Sequence, residues 1–256
     1  MEEASHIAND KFGKVTGTIK DGDHNQVLTE ADLAIGSLII KQIKREYPDY
    51  NIIDEEAGVI DKKSEFTWVV DPIDGTSNFA NGIVTYGIMI GLLQNATPIA
   101  GGITLPYFKE LYIAEKGKGT YYNREKITVS TDEKLSNSLI AYGIDGHPEN
   151  PTETYEEAKL LGELVLHIRN LRSSNSAFDT IQVAKGSYGG MLNRTSKIWD
   201  NIAPHIIIEE AGGVYTDFYG KSMDYSHPLT RVHEYFTFCA AAPEIHKQLQ
   251  GIIHKQ

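Results

Sequence analysis

The hydrophobic residues of the chain recur with two different periods, one typical of helices and one typical of strands. Between Thr29 and Glu46 the apolar positions are three or four residues apart, which predicts an amphipathic helix with Thr29 as its N-cap. Short apolar runs at 51–54 and 66–70 each lead into a group of carboxylates. These runs predict strands that deliver acidic side chains at their C-terminal ends.

The two halves of the chain differ in how these elements follow one another. The first half has β-type runs separated by Gly, Pro and Asn, which predict an antiparallel meander with strands at 84–93, 98–105, 110–114 and 127–130. The second half alternates, with predicted strands at 138–142, 169–172, 189–192, 214–217 and 236–240 and helices at 152–167, 176–185, 199–211 and 243–253. The pattern predicts layered α/β structure, with an N-terminal subdomain at 1–130 and a C-terminal subdomain at 131–256.

Composition narrows the class of partner. The chain has 256 residues, 41% of them hydrophobic, and a formal net charge of −11, so it is expected to fold compactly and not to bind nucleic acid or an anionic membrane. A small-molecule partner fits better. Cys239 is the single cysteine, which excludes an internal disulfide and favours a cytoplasmic location. The acidic N-terminus lacks the order of a signal peptide, and the apolar stretch at 82–93 is too short to span a bilayer.

The densest chemical signal is the segment at 68–79, which reads WVVDPIDGTSNF. Asp71 and Asp74 follow a buried-looking strand, while Gly75 and Thr76 stand where a following helix could present backbone N–H groups. Two carboxylates beside a phosphate-sized pocket suit Mg²⁺, which binds through carboxylates and substrate oxygens. The alternative is structural, with Asp71 capping the turn and Asp74 capping the helix.

Two other segments supply acids that could join this pair. Glu55 and Glu56 end the preceding strand, where adjacent like charges are costly unless they are solvated or neutralised by a cation. Asp200 stands at the start of an otherwise apolar predicted helix. Taken alone, the glutamates fit a surface turn, and Asp200 fits an acid stabilised by the helix dipole.

Together the three segments resemble the inositol monophosphatase family of metal-dependent phosphatases. The family pattern is an acidic pair, then DPIDGTxNF, then WDxxA followed by EAGG. The chain has each of these in order, at 55–56, 71–79, 199–203 and 210–213. Further similarity at 29–32, 115–130 and 172–179 extends the resemblance to essentially the whole chain.

The resemblance implies a five-layered αβαβα sandwich that hydrolyses phosphate monoesters with two or three Mg²⁺ ions, as a homodimer. Glu55, Asp71 and the backbone carbonyl of Ile73 would hold the first metal, and Asp71, Asp74 and Asp200 the second. A third, weaker metal would use Glu55 and waters. Bound Mg²⁺ would reverse the local negative charge and let an acidic protein bind a small phosphorylated substrate.

The same resemblance implies the catalytic residues, which are Asp32, Thr76 and Glu55. Asp32 and Thr76 would orient and deprotonate the attacking water, and the N–H groups of Gly75 and Thr76 would hold the phosphate. A metal-assisted attack by water is consistent with these residue types. The residues expected to contact substrate are Gly75, Thr76, Asn175, Ser176, Asn193 and Asp200.

Three departures from the family pattern leave the substrate open. The segment before Asp32 is short, so a trimmed first helix is expected, followed by a loop at 14–24. Asn193 stands seven residues before Asp200, where inositol-cleaving members tend to carry a glutamate, and Asn175 replaces a small residue. An inositol monophosphate-like substrate is favoured, and histidinol phosphatase, fructose bisphosphatase or bisphosphate nucleotidase activity are the alternatives.

Two non-enzymatic interpretations are also consistent with parts of the sequence. Asp21, Asp23, Asn25 and Asp32 have some of the spacing of a calcium-binding loop, but Gln26 occupies the position that requires glycine. Asp32 also fits the return acid of a capping box with Thr29. The second interpretation is a degenerate, non-catalytic relative that acts as an interaction protein.

Overall fold

The structure is a computed structural model that describes residues 1–20 and 23–255, and of residues 23 and 24 only the backbone. The calcium-loop positions Asp21 and Asp23 therefore fall outside the described side chains. The helices in this part of the chain are α1 Glu2–Lys11, α2 Glu30–Glu46, α3 Thr76–Ala80, α4 Pro151–His167, α5 Ala177–Ala184, α6 Ile202–Glu210 and α7 Pro243–Ile253, with short 3-10 turns at Pro106–Phe108, Leu135–Asn137 and Pro228–Thr230.

The strands form a hairpin and two larger sheets. They are β1 Thr18–Lys20, β2 Asp23–Leu28, β3 Asn51–Asp54, β4 Gly58–Ile60, β5 Phe66–Asp74, β6 Gly87–Gln94, β7 Thr97–Leu105, β8 Glu110–Glu115, β9 Gly119–Tyr122, β10 Glu125–Ile127, β11 Leu139–Gly143, β12 Asn170–Arg172, β13 Gly190–Asn193, β14 Val214–Asp217 and β15 Phe238–Ala241.

The order of the strands brings the acidic segments to neighbouring positions. The eight-stranded sheet has the order β10-β9-β8-β7-β6-β5-β3-β4 and is antiparallel except where β3 and β5 run parallel. Parallel pairing places the C-terminal ends of β3 and β5, with their carboxylates, side by side. The five-stranded sheet has the order β12-β11-β13-β15-β14, and β11 runs parallel to both of its neighbours.

Alternate residues of β5 show how the layers stack. Val70 packs in the same buried cluster as Ile35 of α2, whereas Val69 packs with Ile202 of α6 on the opposite face. Helices α5 and α6 contact both sheets, and α7 with α4 covers the outer side of the five-stranded sheet. The order of layers is thus α, β, α, β, α, which confirms the predicted five-layered sandwich.

Two glycines let α6 approach the eight-stranded sheet closely. A Cβ atom on Gly91 would lie 2.6 Å from a methyl carbon of Ile202, and one on Gly101 would lie 2.6 Å from a methyl carbon of Ile206. Because any side chain at either position would push the helix away, these glycines set the height of α6 above the sheet. They also set the position of Asp200, which lies in the turn directly before α6.

The structure corrects several predicted boundaries. Strand β5 continues through Asp74, so Asp71 and Asp74 lie within its irregular C-terminal end and not after the strand. The helix predicted at 199–211 begins at Ile202, because residues 199–201 form a turn. The strand predicted at 127–130 is replaced by the hairpin of β9 and β10, which ends at Ile127.

The N-terminal region, for which the sequence predicted a trimmed first helix, forms the ten-residue helix α1. The two larger sheets come from either side of residue 130, although Met89 and Leu105 share one buried cluster with residues of the second half. The division into two subdomains stays a prediction. In the part of the chain described, no helix has the length and apolar character needed to cross a bilayer.

Candidate active site

Three carboxylates from two segments that are far apart in sequence lie close together in the structure. Asp71 and Asp74 stand on β5 where its pairing with β6 slips in register, and Asp200 stands in the turn before α6. One carboxylate oxygen from each lies within 4.8 Å of the others. The backbone N–H of Lys197 donates to Asp200 at 2.6 Å, and the amide of Asn201 donates to the Lys197 carbonyl at 2.6 Å, so the turn is fixed from within.

A cavity of about 360 Å³ opens over these acids and gathers nearly all of the predicted site residues. It lies between the C-terminal ends of β3 and β5 on one side and those of β11 and β13 on the other. Asp32 is the exception, since it is fully buried behind Thr76. The predicted residues that line the cavity are Glu55, Asp71, Ile73, Asp74, Gly75, Thr76, Asn175, Ser176, Asn193 and Asp200.

Burial and mutual repulsion hold the pKa values of these carboxyl groups above their ordinary range. Burial is the main cause in each case. The pKa of Asp200 is raised to about 6 and that of Glu55 to about 8, the latter against the opposing charge of Lys20. The pKa values of Asp71 and Asp74 are raised well above the usual range, with the charges of Glu55 and Asp200 respectively adding to the effect of burial. Carboxyl groups with raised pKa values that lie this close together are stable as anions only beside a cation.

Lys20 supplies one such cation at the edge of the site. Its ammonium group lies 2.8 Å from Glu55 Oε1 and 2.6 Å from Glu56 Oε1. The side chains of the two glutamates are almost completely buried, so this ion pair joins the β1–β2 hairpin to the end of β3. Lys20 could not be identified from the sequence, because no motif links it to a pair of glutamates that begins 35 positions further along the chain.

Asp32 uses its two oxygens for two different purposes. Oδ2 accepts from the Thr29 N–H at 2.9 Å and from the Thr29 hydroxyl at 2.5 Å, and the Thr29 hydroxyl accepts from Ala31 N–H, which completes a capping box at α2. Oδ1 faces Thr76, whose hydroxyl lies 3.1 Å away and also lies 2.7 Å from the Ile73 carbonyl. The structural and the catalytic interpretations of Asp32 are therefore compatible.

Both the backbone conformation at position 75 and the lack of space for a side chain there require glycine. Its φ of 82° lies in the left-handed region, and a Cβ atom there would lie 2.8 Å from the Cβ of Ser176. Asp74 accepts a short hydrogen bond from the backbone N–H of Ala177, so the end of β5 is tied to the start of α5. These close approaches bring the two sheets together at the cavity.

A polar network that the sequence motifs do not reveal forms another wall of the cavity. Asp145 follows β11 and accepts hydrogen bonds from the Asn175 amide at 3.1 Å and from the Thr195 hydroxyl. The Asn193 amide donates to Asn175 Oδ1 at 2.9 Å. Its position just beyond a parallel strand is the signal that could have found Asp145, because ligands of α/β sheets bind outside the carboxyl ends of the strands.

The oxygen atoms that these acids offer are suitable ligands for Mg²⁺. Asp71, Asp74 and Asp200 offer only oxygen ligands, which hard divalent cations prefer over nitrogen and sulfur. Asp71 is 1% exposed, and its Oδ1 has no hydrogen-bond partner among the described residues. A buried carboxylate oxygen without a donor is costly, and a cation bound among the three acids would remove that cost.

Comparison with known proteins gives one consistent result. The family model described as inositol monophosphatase family matches residues 1–255. The chain is 32% identical over 212 residues to a fructose-1,6-bisphosphatase/inositol-1-monophosphatase of Aquifex aeolicus, covering 82% of this chain and 80% of that protein. It is 34% identical over 217 residues to an inositol-1-monophosphatase of Synechocystis, covering 84% and 75% respectively.

A solved structure supports the same assignment at the level of the fold. The extragenic suppressor protein suhB of Bartonella henselae superposes with a TM-score of 0.88 at 25% identity, covering 99% of this chain and 95% of that one. The match therefore extends over both sheets and the cavity between them. The chain belongs to the inositol monophosphatase family and is a metal-dependent hydrolase of phosphate monoesters.

Proposed function

We propose that this chain hydrolyses a small phosphorylated metabolite with a single phosphate ester, similar to an inositol monophosphate, and that it uses two or three Mg²⁺ ions. The supporting observation is the meeting of Asp71, Asp74 and Asp200, with ligand oxygens within 4.8 Å of one another, on the wall of a cavity large enough for a small ester. Acids this close in a buried site favour a cationic centre over a structural role.

The metal ligands are assigned from the family resemblance, and all of the residues concerned line the cavity. Glu55, Asp71 and the Ile73 carbonyl would hold one ion, and Asp71, Asp74 and Asp200 a second. A third ion at Glu55 would have to compete with the ammonium of Lys20. When bound, Mg²⁺ supplies positive charge that stabilises the phosphoryl oxygens and favours deprotonation of water.

Thr76 and Asp32 are assigned to the attacking water. The Thr76 hydroxyl can donate its hydrogen to Asp32 Oδ1, which leaves its lone pairs to accept a hydrogen bond from water in the cavity. A proton from that water can pass to Thr76 as the Thr76 proton passes to Asp32. Burial raises the pKa of Asp32, which makes it a stronger base than an exposed carboxylate.

The phosphate is assigned to the start of α3. The backbone N–H groups of Gly75 and Thr76 lie in the first turn, where helical amides lack partners within their own helix, and both residues line the cavity. Ser176 lies against Gly75 and also lines the cavity. The alcohol half of the substrate is left to Asn175 and Asn193 and to the wall around them.

Phosphate release from a panel of monophosphate esters tests the proposal. Activity should require Mg²⁺, disappear in excess chelator and not be restored by Ca²⁺, whose larger and looser ligand shell would misplace the water. Asp74→Asn should lower kcat by about two orders of magnitude or more while the protein still folds. Asp10→Asn, on the exposed surface of α1, is the matched control and should keep full activity. Turnover that survives the chelator would refute the proposal.

Assembly and location stay predictions. A homodimer is implied by the family resemblance, and gel filtration with light scattering would measure it. A cytoplasmic location is proposed because the one cysteine, Cys239, is fully buried and has no second cysteine with which to pair. Localisation of a tagged chain by fluorescence would test it.

A further inference from the structure

The charges that line the cavity are unusual for a site that binds a phosphate ester. Among the residues that the structure describes, five carboxylates line it, namely those of Glu55, Asp71, Asp74, Asp145 and Asp200, and no Lys, Arg or His does. Lys20 touches Glu55 from outside the cavity, and its charge is shared between Glu55 and Glu56. Under the proposed function, metal ions neutralise four of the five carboxylates. Asp145 is the one that remains.

The hydrogen-bond partners of Asp145 are neutral side chains. Its Oδ1 accepts from the Asn175 amide at 3.1 Å, and its Oδ2 accepts from the Thr195 hydroxyl. No described Lys, Arg or His lies within 4 Å of this carboxylate. Neutral donors stabilise an ionised carboxylate without cancelling its charge. Asp145 therefore presents a negative charge to whatever occupies this part of the cavity.

The surrounding hydrogen bonds fix where that charge stands. Asn193 Oδ1 accepts from the backbone N–H groups of Thr195 at 2.7 Å and Ser196 at 2.8 Å, and the Asn193 amide donates to Asn175. Asn175 adopts a φ of 50°, in the left-handed region that asparagine tolerates better than most residues. Each side chain thus holds the next, and the network positions Asp145 in advance of binding.

We propose that Asp145 is a specificity-determining residue that favours phosphate monoesters whose alcohol portion carries an ammonium group and disfavours esters that carry a second phosphate. This inference rests on the proposed function, because the metal ions there account for the other four carboxylates. A cationic substituent would form an ion pair with Asp145. A second phosphate at the same place would meet a like charge and no cation among the described lining residues.

Partial desolvation makes this preference measurable. Charges that meet inside a cavity interact more strongly than on an open surface, because less water lies between them. The Asn175 and Asn193 amides can form hydrogen bonds with hydroxyl groups, so a neutral polyol still binds. The expected order of specificity is therefore amino alcohol first, neutral alcohol second and bisphosphate last.

Matched substrate pairs test Asp145. The probes are 2-aminoethyl phosphate against 2-hydroxyethyl phosphate and glucosamine 6-phosphate against glucose 6-phosphate, with fructose 1,6-bisphosphate as the doubly charged case, all at about pH 7 with saturating Mg²⁺. In each pair an ammonium group replaces a hydroxyl group on the same carbon atom, so its distance from the phosphate is unchanged. We expect kcat/KM to favour the amino member by about tenfold in at least one pair.

The variant Asp145→Asn should bring that ratio to about one and should raise the relative kcat/KM for the bisphosphate. Asp145→Ser is a second variant in case asparagine rearranges the network, and thermal melting checks that both fold. Asp10→Asn, on α1, is the control and should keep the wild-type ratio.

The outcomes separate the two proposals. If the wild-type protein hydrolyses none of the esters with Mg²⁺, the proposed function is wrong. If it hydrolyses them with a ratio near one in both pairs, or with a ratio that both Asp145 variants leave unchanged, the role of Asp145 is overturned and the phosphatase proposal stands.

Discussion

Asp32 shows how one side chain can join helix stability to chemistry. One of its oxygens completes the capping box at α2, and the other contacts the Thr76 hydroxyl. Because the cap holds Oδ2 through two hydrogen bonds from Thr29, Asp32 cannot rotate away from Thr76 without breaking the start of α2. The proposed base is thus held in place before substrate binds, which lowers the cost of orienting it in the transition state.

Replacement of Thr76 tests this arrangement. Thr76→Ala removes the hydroxyl between water and Asp32, so we expect kcat to fall by about 10² to 10³. KM should change by no more than about threefold, since the lost interaction matters mainly in the transition state. Steady-state kinetics with Mg²⁺ would measure both constants.

Thr76→Ser is the matched control, because it retains the hydroxyl and should keep most of the activity. If serine is as damaging as alanine, the methyl group and its packing matter and not the hydroxyl. If alanine has no effect, another group activates the water, and Glu56, whose carboxylate contacts Lys20 beside the site, is the first to examine.

At the scale of elements, the cap of α2 is a stability determinant that can be measured on its own. Thr29 is 2% exposed, and its hydroxyl both accepts from Ala31 N–H and donates to Asp32. Thr29→Ala leaves that N–H without a partner and should lower the free energy of unfolding by about 0.5 to 2 kcal/mol. Urea denaturation measures the change. Thr29→Ser should retain most of the stability, and an equal loss in both variants would contradict the capping role.

The elements that sequence predicts well are those whose pattern is local. Helix α2 could be predicted from its period and its N-cap, and β6, β7 and β8 from their alternation with turn residues. The slip of register between Asp71 and Asp74 could not, because it depends on how β5 pairs with β6. The late start of α6 also depends on tertiary contacts, through Asn201 and its bond from the Tyr215 hydroxyl.

The residues of the candidate site also differ in whether a local sequence pattern identifies them. Asp71, Asp74, Gly75 and Thr76 lie in one continuous motif, so the sequence identifies them together. Asp145 approaches Asn175 across 30 positions, and no local pattern records such a contact. The contacts of isolated residues can be found only once the chain has folded.

For the whole molecule, the clustered acids make stability depend on pH. Glu55 and Asp200 have folded-state pKa values of about 8 and about 6, above the ordinary 4.5 and 3.8. Between each pair of values the folded protein binds more protons than the unfolded chain does, so the free energy of unfolding falls as pH rises. With chelator present, we expect these groups to lower the melting temperature as pH rises from about 5 to about 8.

Mg²⁺ should reverse this trend, because the metal binds the deprotonated carboxylates and competes with protons. The increase in melting temperature produced by a fixed excess of Mg²⁺ should therefore be small at about pH 5 and grow toward about pH 8.

Other ionisable groups contribute to the pH dependence of stability as well, so the double variant Glu55→Gln Asp200→Asn is the necessary reference. With chelator present, this variant should lose less stability than the wild type as pH rises, and its melting temperature should respond weakly to Mg²⁺ at every pH. If the wild type and the variant have the same pH slope, the clustered acids do not control stability; if the Mg²⁺ response of the wild type shrinks toward alkaline pH, protons and metal do not compete for them.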